Sequence, residues 1–261
     1  MIRLVQLIRR KAGMTPAEFN RYWRDEHGPL VAYHQTRLDI LRYVQTHREP
    51  AASDAEIQAS SKRGGLESPY DGVAELWFTS EQALTAARAA AAGRRALEEI
   101  QGDESKFIDH AASPSWFAHE YPQVSTQRER IVATPRTGIL KVNFALRPRP
   151  GLTAAEAQRY WLTMHGPLVR SHAAARGVLC YQQVHRFVTP LADELRHAPA
   201  KNIDPYMGHA EAWFDTRIPL VGAEPAASEA AAINDERHFI DWLRSTLLFG
   251  KELVFIDRAW V

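Results

Sequence analysis

The sequence predicts an α+β fold: two tandem β-α-β-β-α-β halves whose four-stranded sheets close on each other as one barrel within a single chain. Three observations carry this expectation. The first is a repeat: displaced by 138 positions, residues 15–48 align without a gap on residues 153–186, and seventeen of those thirty-four positions are identical. YDGVAELWF (70–78) then recurs as YMGHAEAWF (206–214), and DESKFID (103–109) as DERHFID (235–241), in the same order. The second is period-two alternation in the segments that bracket each copy. The third is a packing requirement. A four-stranded sheet with helices on one face leaves its other face bare, and a second copy on the same chain is the natural cover.

The elements follow in order. IRLVQLI (2–8) and GILKVNFAL (138–146) read as first strands; in the latter, Leu140, Val142, Phe144 and Leu146 alternate with Lys141, Asn143 and Ala145. Each is followed by a helix opened by a Thr-x-x-Glu capping box, Thr15 to Glu18 and Thr153 to Glu156, with Pro16 at the favoured first position of the first copy. Both helices run into His-Gly-Pro, at 27–29 and 165–167, where the proline removes a backbone donor and predicts a bend or a fresh start. LRYVQTHR (41–48) and LCYQQVHR (179–186) are second strands, VAELWF (73–78) and HAEAWF (209–214) third strands, and WFAHEY (116–121) and ELVFID (252–257) closing strands. Residues 49–69 and 187–205 are polar and aperiodic and read as loops. The halves are therefore 1–123 and 138–261, joined by a linker at 124–137.

Composition excludes several classes of function. The chain of 261 residues carries a formal net charge of +1, which offers no strong field for nucleic acid or an anionic membrane. One cysteine, Cys180, rules out an internal disulfide and any multi-cysteine zinc site. The apolar stretch at the N-terminus is too short and interrupted for a signal peptide, and no apolar run is long enough to span a bilayer, so a cytoplasmic protein is expected. Neither a Walker-type phosphate loop nor a G-x-S-x-G nucleophile elbow is present.

The Tyr-Trp-x-x-x-His-Gly-Pro-Leu-Val helix, the strand ending Tyr-x-Gln-x-His and the Gly-x-Ala-Glu-x-Trp-Phe strand together resemble the EthD-like family of the dimeric α+β barrel superfamily, over both halves of the chain. The resemblance implies ferredoxin-like halves. Its implication for activity is broad: superfamily members include cofactor-free cyclases, isomerases, dehydratases and monooxygenases as well as haem enzymes.

Candidate residues fall into two sets. His27 lies four residues after Trp23, and His34 seven after His27, on one helical stripe that His165 and His172 repeat. On the second strands Tyr43 and His47 share a face, as do Tyr181 and His185; on the third, Glu75 goes with Trp77, and His209 and Glu211 with Trp213. A face of Tyr, Gln, His and Glu amid aromatics suits a ligand cavity better than a core. The catalytic candidates are thus His165, His172, His185 and Glu211, with His27, His34, His47 and Glu75 in the first half. The binding candidates are Tyr181, Tyr43, Asn143, His209, Trp213, Trp77, Trp161 and Trp23. The greater number of polar groups in the second half points to it as the working pocket. A competing structural reading makes His27 and His165 caps on backbone carbonyls freed by the helix bend, and pairs Glu75 and Glu211 with Arg3 and Lys141 of the neighbouring strand.

The resemblance and this face lead to a cofactor-independent enzyme, with no metal, that moves protons through His and Glu on a small, largely apolar, aromatic or polycyclic metabolite. The reaction would be of lyase (dehydratase), isomerase or cyclase type. Two other classes compete: a non-catalytic ligand-binding or accessory protein of a degradation or biosynthetic pathway, and a haem-dependent barrel enzyme needing a single axial His. The partner expected is a small-molecule substrate, with neither nucleic acid nor membrane, and a homodimer of the fused chain is compatible with this.

Overall fold

The computed structural model describes residues 1–125, 131–195 and 203–258. The first half runs β1 (Ile2–Ile8), α1 (Pro16–Tyr22), α2 (Gly28–Tyr33), β2 (Ile40–Arg48), α3 (Ser53–Ser61), β3 (Gly72–Phe78), α4 (Glu81–Ala89), α5 (Ala91–Glu104) and β4 (Ser115–Ser125). The second runs β5 (Ile139–Leu146), α6 (Ala154–Tyr160), α7 (Gly166–His172), β6 (Val178–Arg186), α8 (Pro190–Leu195), β7 (Gly208–Asp215), α9 (Ala223–Glu236) and β8 (Thr246–Asp257). The eight strands form a closed barrel in the order β1-β3-β2-β8-β5-β7-β6-β4, antiparallel at every seam.

The closing strands are longer than their hydrophobic runs because each serves two sheets. β4 pairs through Ser115–Ala118 with β1, then through Ala118–Ser125 with β6 of the other half. β8 pairs through Thr246–Gly250 with β5, then through Gly250–Asp257 with β2. At the changeover a side chain on Gly250 would strike the His47 carbonyl, at 2.7 Å from a Cβ.

Alternation sorts the side chains into two very different environments. Ile2 and Ile8 point outward into a core shared with Phe19, Trp23 and Ile100 on the helices, and Phe144 and Leu146 do the same against Trp161 and Phe239. Val5, Leu7, Val73 and Ala145 point into the barrel, among Trp116, Tyr70 and Tyr206. So the apolar alternation of β5 faces its helices, while Lys141 and Asn143 are sealed inside the barrel, almost fully buried.

Both capping boxes form: the Thr15 and Thr153 hydroxyls accept from the Glu18 and Glu156 amides at 3.2 Å. The His-Gly-Pro sequences do not break their helices. The chain passes them through one wide π turn, Trp23–His27 and Trp161–His165, in which the Gly28 and Gly166 amides reach back to the Trp23 and Trp161 carbonyls. Widening the turn accommodates a proline that cannot donate, and the backbone stays right-handed helical. The glycine is required by the opposite half: a side chain at Gly28 would enter the Phe255 ring of β8, and one at Gly166 would meet Gln123 of β4.

Three sequence expectations are corrected. The segment 49–69 is not a plain loop: it contains α3, whose Ala59, together with Leu66 beyond the helix, packs on the second-half core. Its near-zero amphipathicity hid it, since the helix is held by contacts outside itself, such as Arg48 on Glu56 at 2.6 Å. In the segment 187–205, Leu191 of α8 packs on the first-half core, and residues 196–202 lie outside those described. The expected linker begins inside β4, which extends to Ser125; its residues 126–130 are likewise outside the described set. No helix among the described residues is long and apolar enough to cross a membrane.

Candidate active site

The strand register decides which candidates can meet. Val44 faces Glu75 across the β2–β3 ladder, whereas Tyr43 faces Leu76 and Gln45 faces Ala74. Directly paired residues project to the same side of a sheet. Tyr43, Gln45 and His47 therefore face the helices, and Glu75 and Trp77 face the barrel interior. The second half repeats this, with Gln182 opposite Glu211 and Gln183 opposite Ala210. The single Tyr-Gln-His-Glu face read from the sequence is thus two faces of one sheet. Glu211 is on the wrong side to assist His165, as Glu75 is for His27.

Inside the barrel the carboxylates form an ion cluster. Lys141 Nζ lies 2.7 Å from Glu75, 2.6 Å from Glu211 and 3.2 Å from Glu252. Arg3 bonds Glu75, reaches Glu211 at 2.5 Å and Glu120 at 3.0 Å, and stacks over Trp77 at 4.5 Å. The indole of Trp77 donates to Glu120 at 2.6 Å and that of Trp213 to Glu252 at 2.9 Å. Burial opposes charging Glu211, but the Arg3 and Lys141 cations outweigh it and hold its carboxyl well below the usual range. His209 sits 3.3 Å from Glu211 and 3.4 Å from Glu75, and burial lowers its pKa to about 4, so the ring is neutral. Neither amide atom of Asn143 has a hydrogen bond among the described residues. Glu75, His209 and Glu211 bring ligand-type atoms within 4.8 Å of one another. A metal there would have to displace Arg3 and Lys141 from carboxylates they already neutralise. This is the pairing that the structural reading of the sequence anticipated, and it removes Glu75, Glu211, Asn143, His209, Trp77 and Trp213 from the helix-side cavities.

Among the described residues, two cavities lie between the sheet and its helices, one per half. The second-half cavity has a volume of about 420 Å³ and is walled by Phe144, Trp161, Ala212, Phe214 and Phe239, among others. The first-half cavity measures about 100 Å³, with Trp23, Tyr43, Leu76, Leu84 and Ile100 in its wall. His165 lines the large cavity and His27 the small one.

Neither histidine caps a backbone carbonyl. His165 Nδ1 meets Asp235 Oδ2 at 2.8 Å, and His27 Nδ1 meets Asp103 Oδ2 at 2.9 Å. A tyrosine completes each unit: Tyr160 donates to Asp235 at 2.8 Å and Tyr22 to Asp103 at 2.5 Å. The His165 hydrogen bond, aided by Tyr160, holds the Asp235 carboxyl below its ordinary value despite its partial burial. Burial would raise Asp103, yet His27, Tyr22 and Lys106 together lower it. A carboxylate on Nδ1 fixes the tautomer and leaves Nε2 of His165 for the cavity. Asp103, Asp235, Tyr22 and Tyr160 were not singled out from the sequence. The signal was present, since the two aspartates open the repeated DESKFID and DERHFID blocks.

The remaining candidates support the π turns or sit at the rim. Gln45 and Gln183 donate to the Trp23 and Trp161 carbonyls at 2.8 and 2.9 Å. His47 and His185 contact the same glutamine oxygens at 2.7 and 3.0 Å and stack on Trp23 and Trp161 with ring centroids 4.3 and 4.5 Å apart. Burial drives their pKa values down to about 3 and about 4, so both are neutral. Tyr181 lines the large cavity, its oxygen accepting from the Trp161 indole at 2.9 Å; Tyr43 is its first-half equivalent. His34, buried at the end of α2, bonds Glu99 at 2.8 Å, and His172 ends α7 half-buried; neither lines either of these cavities.

The chain thus combines a closed α+β barrel with a His–Asp pair beside a largely apolar cavity. The EthD domain family model matches residues 11–111 and 149–242, well over half of the sequence. The chain belongs to the EthD domain family. It is 27% identical over 104 residues to the conidial pigment biosynthesis dehydratase EthD of Metarhizium robertsii, covering 40% of this chain and 71% of that protein. Among solved structures it is similar to a candidate monooxygenase from Lactobacillus acidophilus NCFM (8% identity, TM-score 0.46, 98% of this chain and 95% of the other). It is also similar to a candidate chlorite dismutase (10% identity, TM-score 0.49, 97% and 94%).

Proposed function

We propose that this protein is a cofactor-independent dehydratase whose working site is the second-half cavity, with His165 as the acid–base group and Asp235 its orienting partner. The observation that carries the proposal is the placement of His165: Nδ1 on a carboxylate, Nε2 without a hydrogen bond among the described residues, in the wall of a cavity of about 420 Å³. A volume of that order suits a small metabolite. The name of the Metarhizium robertsii relative supports dehydration over isomerisation or cyclisation. Residues 1–123 and 138–261 are taken as two ferredoxin-like units, in which the first serves mainly to complete the barrel.

The chemistry balances with one base. His165 Nε2 takes a proton from the carbon α to a carbonyl, and the C–H electron pair becomes a C=C bond. The β C–O bond breaks, and the departing hydroxide leaves as water with the proton returned by the imidazolium. Asp235 stabilises that imidazolium without itself being protonated. Tyr181, which also lines the cavity, would bond a substrate oxygen.

The test is dehydration of bicyclic β-hydroxy ketones, followed as the rise in aromatic absorbance on loss of water. Wild-type protein should turn over at least one such ketone, and His165→Ala should lower turnover by about 10²–10⁴-fold while the protein stays folded. Tight binding without turnover would leave a non-catalytic ligand carrier. A Soret band in the purified protein would replace the proposal with a haem enzyme.

A further inference from the structure

The large cavity contains a positive charge that the protein does not use. Arg176, in the turn between α7 and β6, lines the cavity, and its guanidinium has no hydrogen bond or close ion pair among the described residues, Glu236 and Glu229 acting on it only at longer range. The two carboxylates that share this wall are already matched. Arg63 holds Glu236 through two bonds of 2.7 Å each, and Lys62 holds Glu229 at 2.6 Å. Lys62 and Arg63 both come from the end of α3, the first-half segment that covers this cavity. Once those pairs are made, Arg176 is the surplus cation.

The first half shows what an unliganded wall requires at this place. The residue aligned with Arg176 is Leu38, which is buried in the first-half core. A guanidinium in a partly dry, largely apolar cavity pays a desolvation cost that an apolar side chain would not. Burial lowers the Arg176 pKa, consistent with a charge short of solvent. An incoming anion would relieve that cost, and the planar fork suits a carboxylate or an ionised enol or phenol.

We infer that Arg176 is the recognition group for an anionic oxygen on a ligand whose body is a flat apolar ring system, lying against Trp161, Phe214 and Phe239. This assignment rests on the cavity being the functional site. It also orients the ligand, since the acidic oxygen would point to Arg176 and the apolar body would run toward His165.

The probes are naphthoate and nitronaphtholate as anions of the two oxygen types, with naphthylmethanol as a neutral ligand of matched shape. Binding is read by calorimetry and by quenching of tryptophan fluorescence. At least one anion should bind wild type about tenfold or more tightly than the alcohol, and which anion does so identifies the oxygen. Arg176→Leu, which copies the first half, should abolish that preference, and Arg176→Lys should keep part of it. Should Arg176→Leu not fold, Arg176→Gln carries the same expectation. Equal affinity of anions and alcohol for wild type, or a preference that survives the loss of Arg176, overturns the assignment while leaving cavity binding intact. If no probe binds, or if Ala212→Phe leaves binding unchanged, the cavity reading itself falls and takes this inference with it.

Discussion

The two halves carry the same His–Asp–Tyr unit, the same π turn and the same Gln anchor, yet one encloses about 100 Å³ and the other about 420 Å³. The difference lies in side-chain volume around a shared frame. Around the cavities Leu76 becomes Ala212, Ile40 becomes Val178 and Ile100 becomes Ala232. The first half spends its interior on packing, and its histidine faces a wall. The second trims that wall, and the same histidine faces space. The comparison teaches that the unit's geometry is a property of the fold, whereas a site also needs room beside it.

Breaking the comparison begins with the dyads. Asp235→Asn should cut turnover by about 10²–10⁴-fold, as expected for loss of a group that orients a catalytic imidazole. His27→Ala and Asp103→Asn should leave turnover within a few-fold and instead cost about 1–3 kcal/mol in urea unfolding, from the unpaired buried partner. Equal kinetic damage from both halves would mean that the first-half cavity also works.

The ion cluster should be indifferent to which half is altered, because it belongs to both. Lys141→Met or Arg3→Met should each cost about 3–5 kcal/mol, measured by chemical denaturation, since either leaves buried carboxylates without a counter-charge. Exchanging wall residues sharpens the contrast at similar or smaller cost. Leu76→Ala should destabilise by about 2–5 kcal/mol as it enlarges the first-half cavity, and Ala212→Leu should narrow the second cavity and weaken ligand binding there.

Per pH unit and per residue, the smallest effect is in acid. His47, His185 and His209 are buried neutral with pKa values of about 3, 4 and 4, against an ordinary 6.5. The unfolded chain therefore holds more protons than the native one below pH 6.5, so stability is full above that pH and declines as pH falls toward 4. Each histidine contributes about 1.4 kcal/mol per pH unit across its window. Asp235 acts in a lower range: its native pKa is depressed, so its contribution is present above the ordinary 3.8 and lost as pH falls through the native value. Replacing His185 should reduce the acid slope by one proton, and an unchanged slope would mean that it is not buried neutral in solution.

Much of the frame was legible because strands and capped helices write themselves locally. The alternation of Lys141 and Asn143 with Phe144 and Leu146 located β5 and its two faces. The face of Glu75 relative to Tyr43 was not legible, because register between strands is set by the whole ladder and not by either strand alone. α3 escaped for a similar reason: its partners are Arg48 and the opposite half. Asp235 was hidden because it lies 70 residues from His165, and only the repeated DERHFID block marked it. Arg176 could be read only once its neighbours' charges had been assigned.

The shared closing strands also constrain how the molecule comes into being. β8 reaches β2 across more than 200 residues of intervening chain, pairing Asp257 with Arg42. Pairings so distant in sequence make for slow folding, because chain entropy must be surrendered before the contact rewards it. During synthesis the barrel cannot close until residue 257 has left the ribosome. Until then β2 presents an open edge, which makes a nascent first half a target for chaperones and for a neighbouring chain's β8.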